Sequence, residues 1–335
     1  MSSLGLLAAA AGSCAIVAVS TPFVRRLAVA KGVVDHPGGH KSHHVPVPYL
    51  GGLAIMGGAV VAQLAVAGLP GRTAVILLAA VMLGIVGAVD DRRNLHPLPR
   101  LAAQLAAAIA AVAVGVRVSI TGNVLIDSLA AVVWIVAMTN AVNFLDNMDG
   151  LASCLAAASA ASAFVLASAA GQAVVATAAS AVVGACLGFL LYNRRPASIY
   201  MGDSGSLFLG YLLATVVNQV DPALAPPRSW LVPALLLGLP VLDTTTVMLG
   251  RFRNGRALYL GGRDHLSHRL VARGWSPVDA VLTLVGCQAM LGGIAIIVGR
   301  GVLPVWLAAV ASACVAGGLL ALCLSVKVYA PRSTG

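Results

Sequence analysis

An all-α, polytopic membrane protein with about eleven spanning helices is the fold this sequence predicts, and three observations predict it. Of its 335 residues, 59% are hydrophobic and only 10% charged, whereas a soluble domain carries roughly 25% charged residues. Most of its surface must therefore face lipid. The apolar residues gather into runs that approach the roughly 20 needed to cross a bilayer. The basic residues are crowded into alternate links between these runs, as the positive-inside rule requires.

In chain order the runs are 4–24, 49–69, 72–89, 101–116, 124–142, 150–170, 172–191, 205–219, 230–250, 277–299 and 302–326. The first has no basic residue before it and Arg25 and Arg26 after it, the reverse of a signal peptide, so it is expected to stay as a membrane helix. The fifth contains the unbroken apolar stretch Leu129–Met138, the body of a buried helix. Almost nothing polar separates the sixth from the seventh, so their boundary rests on Gly171. The ninth carries Asp243 inside an otherwise apolar run, and "HLSHRL" after it predicts a short interfacial helix. No repeat or soluble domain is evident, and residues 1–335 read as one transmembrane catalytic domain. The six cysteines lie within apolar segments without metal-type spacing and read as small packing residues.

With the N-terminus outside and the C-terminus in the cytoplasm, only Arg72, Arg117, Arg228 and Arg300 of the 21 basic residues fall on the outer side. The net charge of +10 is spread over short loops, which suits anionic lipid or an acidic substrate and gives no sign of a nucleic-acid partner. The same orientation puts all seven histidines and most of the eleven acids, every one an aspartate, on the cytoplasmic side of a plasma-membrane protein. The expected working loops are 25–48, 90–100, 143–149, 192–204 and 251–276.

Three polar clusters stand out there. Asp90 and Asp91 are adjacent at the end of the third run, and neighbouring carboxylates repel unless a cation or shared proton intervenes. In "TNAVNFLDNMDGL", continuation of the fifth helix to about residue 147 would put Asn140, Asn143 and Asp146 or Asn147 on one face. Amide and carboxylate oxygens together suit a hard cation such as Mg²⁺, with Mn²⁺ as a substitute, shared with substrate phosphate. Helix capping explains one such residue but not five in sequence. In "IYMGDSGSLFLG", Asp203 lies between glycines before the eighth helix, where it is either a helix cap or part of an anion site built on free N–H groups. Two basic loops complete the set. One contains Lys41 and His43; the other contains six arginines with His265 and His268, a composition suited to phosphate.

These residues resemble the polyprenyl-phosphate N-acetylhexosamine-1-phosphate transferases. Five stretches match in order: Lys41-x-His43 with Pro48 and Gly51-Gly52; Asp90-Asp91; Asn140–Gly150; Met201-Gly202-Asp203-x-Gly205-Ser206; and Asp264-His265 with His268-Arg269-Leu270. Eleven helices look more like the N-acetylglucosamine branch than the ten-helix muramoyl-pentapeptide branch. The resemblance implies Mg²⁺-dependent transfer of a sugar 1-phosphate, most simply N-acetylglucosamine 1-phosphate, from a UDP-sugar to polyprenyl phosphate, releasing UMP. It implies that Asp90 and Asp91 handle the lipid phosphate's proton and that Asp203 and Asn143 hold the metal. Asp146 and Asp149 would lie near nucleoside and sugar, with Lys41, His43, Asn140, His265, His268 and Arg269 contacting substrate. A homodimer is in keeping with such membrane enzymes, although no sequence feature specifies one. Many members read His-x-His-His in the last loop, whereas Ser267 stands here at the middle histidine; a hydroxyl can still bond phosphate but carries no charge, which puts the role of that histidine, and sugar or lipid specificity, in question. The rival readings are an intramembrane Mg²⁺-dependent prenyltransferase and a secondary transporter. The first expects two DxxxD motifs, the second polar groups at the bilayer midplane.

Overall fold

The computed structural model describes residues 3–35, 46–221, 223–257 and 262–326. Its helices are α1 (Ser3–Ala30), α2 (Gly51–Ala67), α3 (Gly71–Arg93), α4 (Pro97–Ala113), α5 (Val124–Leu145), α6 (Leu151–Ala169), α7 (Ala173–Asn193), α8 (Gly202–Val217), α9 (Arg228–Leu236), α10 (Gly238–Arg253), α11 (Leu266–Ala272), α12 (Pro277–Gly299) and α13 (Val305–Leu324). Two short antiparallel strands, β1 (Val34–Asp35) and β2 (Val47–Pro48), pair Val34 with Pro48 and Asp35 with Val47.

Each of the eleven apolar runs holds a helix. Among the described residues, α1, α3, α5, α6, α7, α12 and α13 are long and apolar enough to cross a membrane. The shorter α2, α4 and α8 are apolar as well. Gly171 does separate α6 from α7, adopting the left-handed conformation (φ +70°) that a side chain disfavours.

The ninth run departs from a straight span: α9 and α10 are bent by 80°. Pro240, in the first turn of α10, has no N–H to donate back to Leu236. Groups freed at such a break must find partners when buried in an apolar bundle. Gln288 of α12, itself fully buried, supplies them: its Oε1 accepts from the Leu239 N–H at 2.9 Å and its Nε2 donates to the Leu236 carbonyl at 2.9 Å.

At the centre stands α8. Of its residues only Asp203 is appreciably exposed, the pattern of a helix that is apolar all round and packed on every side. Small residues let its neighbours approach. A methyl group added to Gly52 of α2 would lie 2.1 Å from the Gly205 nitrogen, and one added to Gly87 of α3 would lie 2.3 Å from the Asp203 carbonyl oxygen. Such contacts replace the hydrophobic drive that lipid cannot supply between helices. They also fix the start of α8 against the ends of α2 and α3, where the polar clusters lie.

Candidate active site

The polar clusters meet at one end of the bundle. The C-terminal ends of α3 and α5, the first turns of α4 and α8, and the segment leading into α11 surround two adjoining cavities of about 380 and 480 Å³. Tyr49 and Asp146 line both, so the two form one cleft with an acidic lobe and a larger mixed lobe.

In the acidic lobe, Arg100 holds the carboxylates together. Its Nη1 lies 2.5 Å from Asp90 Oδ2 and 3.0 Å from Asp203 Oδ2. The other oxygen of Asp90 accepts from the Leu95 N–H at 2.6 Å. Asp203 Oδ1 accepts from Asn143 Nδ2 at 2.6 Å, and the same amide reaches Ser206 Oγ at 2.8 Å. Asp91 faces the N-terminus of α8, accepting from the N–H groups of Asp203 at 2.8 Å and Ser204 at 3.2 Å. A carboxylate is stabilised there by the unpaired N–H groups and the helix dipole. The sequence left those donors open to a substrate anion; in the folded chain Asp91 occupies them.

Four carboxylates, of Asp90, Asp91, Asp146 and Asp203, therefore share this lobe with the single cation of Arg100 among its described lining residues. Burial, with the charges of Asp203, Asp91 and Asp149, pushes the Asp146 carboxyl up to about 8. Such an excess of half-buried acid favours a further cation. Among the described residues, no three His, Cys or Asp side chains form a ready metal cage. The donor set nevertheless fits Mg²⁺, which takes one or two protein carboxylates and fills its octahedron with water and phosphate oxygens rather than with an all-protein cage.

The larger lobe adds Asp149, Asn147, Arg195, Tyr200, Arg263 and His268 to Tyr49 and Asp146. Tyr49 and Tyr200 form a tilted pair with ring centroids 6.0 Å apart. Burial, then the neighbouring Asp35 carboxylate, raises the Tyr49 hydroxyl well above its usual range. Asp149 accepts from the Ala197 N–H at 3.2 Å, holding the α7–α8 link against the wall.

Of the residues expected at the site, Asp90, Asp91, Asn143, Asp146, Asp149, Asp203 and His268 come together here. Lys41 and His43 lie outside the described residues. Three others line neither cavity. Asn140 exchanges hydrogen bonds with Gln104 of α4, at 2.5 and 3.3 Å. Arg269 is buried and donates from Nε to the Asp264 carbonyl at 2.8 Å. His265 turns inward to Asp243, 2.7 Å away. Ser267 is fully buried and donates to Asn147 Oδ1 at 2.7 Å, so its hydroxyl is used within the protein and does not reach the cleft.

The sequence reading did not single out Arg100, Arg195, Tyr49 or Tyr200. Arg100 carried the best available signal, as a cation in the first turn of the helix that follows the aspartate pair.

Burial, with His265 and the Arg263 guanidinium close by, pushes His268 down to about 4, so it is neutral at pH 7. The unfolded chain binds a proton near 6.5 that the folded chain refuses until about 4, so stability is complete above 6.5 and declines as pH falls towards 4. Thermal unfolding in detergent should show a shallower loss between those pH values for His268→Gln than for the parent; equal slopes would refute the assignment.

A family model described as "Glycosyl transferase family 4" matches residues 73–220, from α3 to just beyond α8. The chain is 33% identical over 279 residues to a probable undecaprenyl-phosphate N-acetylglucosaminyl 1-phosphate transferase of Bacillus subtilis, covering 80% of this chain and 78% of the relative. It is 32% identical to a decaprenyl-phosphate N-acetylglucosaminephosphotransferase of Mycobacterium tuberculosis, covering 78% and 74%. To the undecaprenyl-phosphate alpha-N-acetylglucosaminyl 1-phosphate transferase of Escherichia coli K12 it is 25% identical, covering 82% and 79%.

Proposed function

Because the chain belongs to glycosyl transferase family 4, we propose that it transfers N-acetylglucosamine 1-phosphate from UDP-N-acetylglucosamine to a polyprenyl phosphate in the membrane. An oxygen of the lipid phosphate forms a bond to the β-phosphorus of the donor. The bond from that phosphorus to the bridging oxygen breaks, and UMP leaves with the electron pair. The carrying observation is the acidic lobe. Asp90 and Asp203 converge on Arg100, with Asp91 and Asp146 alongside, beside a second cavity large enough for a nucleotide sugar, and the two lobes share Asp146.

The residues suit that division of labour. Arg100 is the cation available to the lipid phosphate in the acidic lobe. A phosphate arriving there competes with Asp90 for its guanidinium and frees the Asp90 carboxylate to orient or accept a proton. Asp91 stays on the N-terminus of α8 and keeps Asp203 in place. A phosphate monoester is largely ionised near neutral pH, so positioning and charge neutralisation outweigh base strength. In the larger lobe, Arg195, Arg263 and His268 face the donor's phosphates, while Tyr49 and Tyr200 offer aromatic surface.

Asp203, Asn143 and Asp146 would hold Mg²⁺, which when bound polarises the diphosphate and offsets its charge. Below about pH 8 the metal must displace a proton from Asp146, so Mg²⁺ affinity should rise between pH 6.5 and 8.5. Calorimetric titration of the detergent-solubilised protein would read this; a flat profile in the parent, or an equal slope in Asp146→Asn, contradicts it. The distribution of basic residues supports a cytoplasmic cleft and eleven crossings, the ninth being the broken α9–α10 pair.

The deciding experiment is UMP release by purified protein with undecaprenyl phosphate, Mg²⁺ and UDP-N-acetylglucosamine. Release that requires the lipid and stops with a chelator is the expected result. Release of inorganic diphosphate from a prenyl diphosphate donor, with no UMP from any UDP-sugar, would replace the proposal with the prenyltransferase reading.

A further inference from the structure

Asp243 is an expensive residue. It lies in α10 with its carboxylate fully buried, where a polar group without partners is strongly disfavoured. It takes no part in either lobe. Both of its oxygens are nevertheless engaged, and by a single stretch of chain. Oδ2 lies 2.7 Å from Nδ1 of His265, and Oδ1 accepts from the Leu266 N–H at 2.7 Å. The adjacent residue is gripped by the same helix: Arg251 forms a paired contact with Asp264, Nε to Oδ2 and Nη2 to Oδ1, both 2.8 Å. Thus α10, which the 80° bend turns away from α9, presents a carboxylate and a guanidinium to consecutive residues at the start of α11.

The chemistry of the first contact fixes a proton. The carboxylate oxygen is the acceptor of this contact, so the hydrogen between them sits on His265 Nδ1, and in the neutral form of the ring Nε2 is left as the acceptor. The ring so held packs against two others: the Phe144 centroid is 6.1 Å away and that of His268 is 6.2 Å away. Phe144 lies two residues before Asp146, which belongs to both lobes, and His268 lines the larger lobe. His265 therefore packs between Phe144, which leads to Asp146, and His268 of the cavity wall.

We infer that Asp243 is a positioning residue of this enzyme: it locks His265 as the Nδ1–H tautomer and through that ring sets Phe144 and His268. The inference rests on the phosphosugar-transfer reading for its kinetic consequence, but the tautomer is a property of the folded chain alone.

The test uses full-length protein labelled with ¹⁵N-histidine in lipid bilayers, with His265→Gln to assign the resonance. The parent should show His265 protonated on Nδ1 and bare on Nε2. A parent protonated on Nε2 overturns the proposal outright, whatever any variant does. In Asp243→Asn the Nδ1–H signature should weaken in favour of the other tautomer. UMP release by that variant should fall on the order of 10- to 100-fold, the penalty for a misplaced group remote from the reacting atoms, in kcat more than in lipid KM. An altered tautomer with near-parental turnover, or lost turnover with an unaltered tautomer, refutes the coupling between Asp243 and the cleft. Absence of UMP release from the parent would fail the functional reading and leave the tautomer result to stand by itself.

Discussion

Asp203→Asn should lower UMP release by about 10²- to 10³-fold, the range seen when a preorganised electrostatic group is removed from an active site, while the protein remains folded in detergent. The reason is local. One oxygen of Asp203 accepts from Asn143 at 2.6 Å and the other from Arg100 at 3.0 Å. An asparagine of the same shape must aim its NH₂ at one of these donors, so it loses a hydrogen bond and the charge on which Mg²⁺ would depend. The backbone N–H of residue 203 still binds Asp91, so the start of α8 keeps its anchor and the global fold is spared. UMP release within a few-fold of the parent, from a folded variant, would remove Asp203 from the catalytic centre.

A single methyl group should do comparable damage from a different direction. In Gly87→Ala the added Cβ would sit 2.3 Å from the Asp203 carbonyl oxygen, 2.4 Å from its carbon and 2.5 Å from the Ser204 nitrogen. All three are backbone atoms, so no rotamer change relieves the overlap. Helices α3 and α8 must part, at about 1–3 kcal/mol for overpacking. Their separation also pulls Asp91 away from the N–H groups it caps. We expect a lower thermal midpoint together with a loss of UMP release on the order of a hundredfold, because sub-ångström placement is what such sites depend on. Gly57→Ala is the matched control: nothing lies within 4 Å of its added methyl, and both readouts should stay at parental values. If Gly87→Ala behaves as Gly57→Ala does, the close approach of α3 to α8 is not what sets the site.

The two substitutions mark the border between what was legible in the chain and what was not. Asp203 could be picked out because a carboxylate between glycines, ahead of an apolar run, is an oddity of local sequence. Gly87 could not, since a glycine in an apolar helix looks the same whether it faces lipid or a neighbouring backbone. Ser267 and His265 show the same limit on a smaller scale. Both sit in a conspicuous His- and Arg-rich segment, where the resemblance placed His265 near the phosphates and left Ser267 as a hydroxyl able to bond one. The entry into α11 instead turns them towards Asn147 and Asp243, and of that segment's two histidines only His268 lines the cleft.

The sequence by itself determined that this is a membrane protein of apolar helices with its polar chemistry at one end. Composition and run length fix the solvent of each segment, and the alternation of basic loops sorts the links by side. Those properties are additive along the chain and need no knowledge of neighbours. Only the tertiary structure decided which carboxylate serves which purpose. Asp90 and Asp91 are adjacent in sequence, yet one turns to Arg100 and the other caps α8 from 112 residues away. That division follows from a helix rotating successive side chains by about 100° and from glycines that bring α3 against α8, and it exists only once the helices have packed.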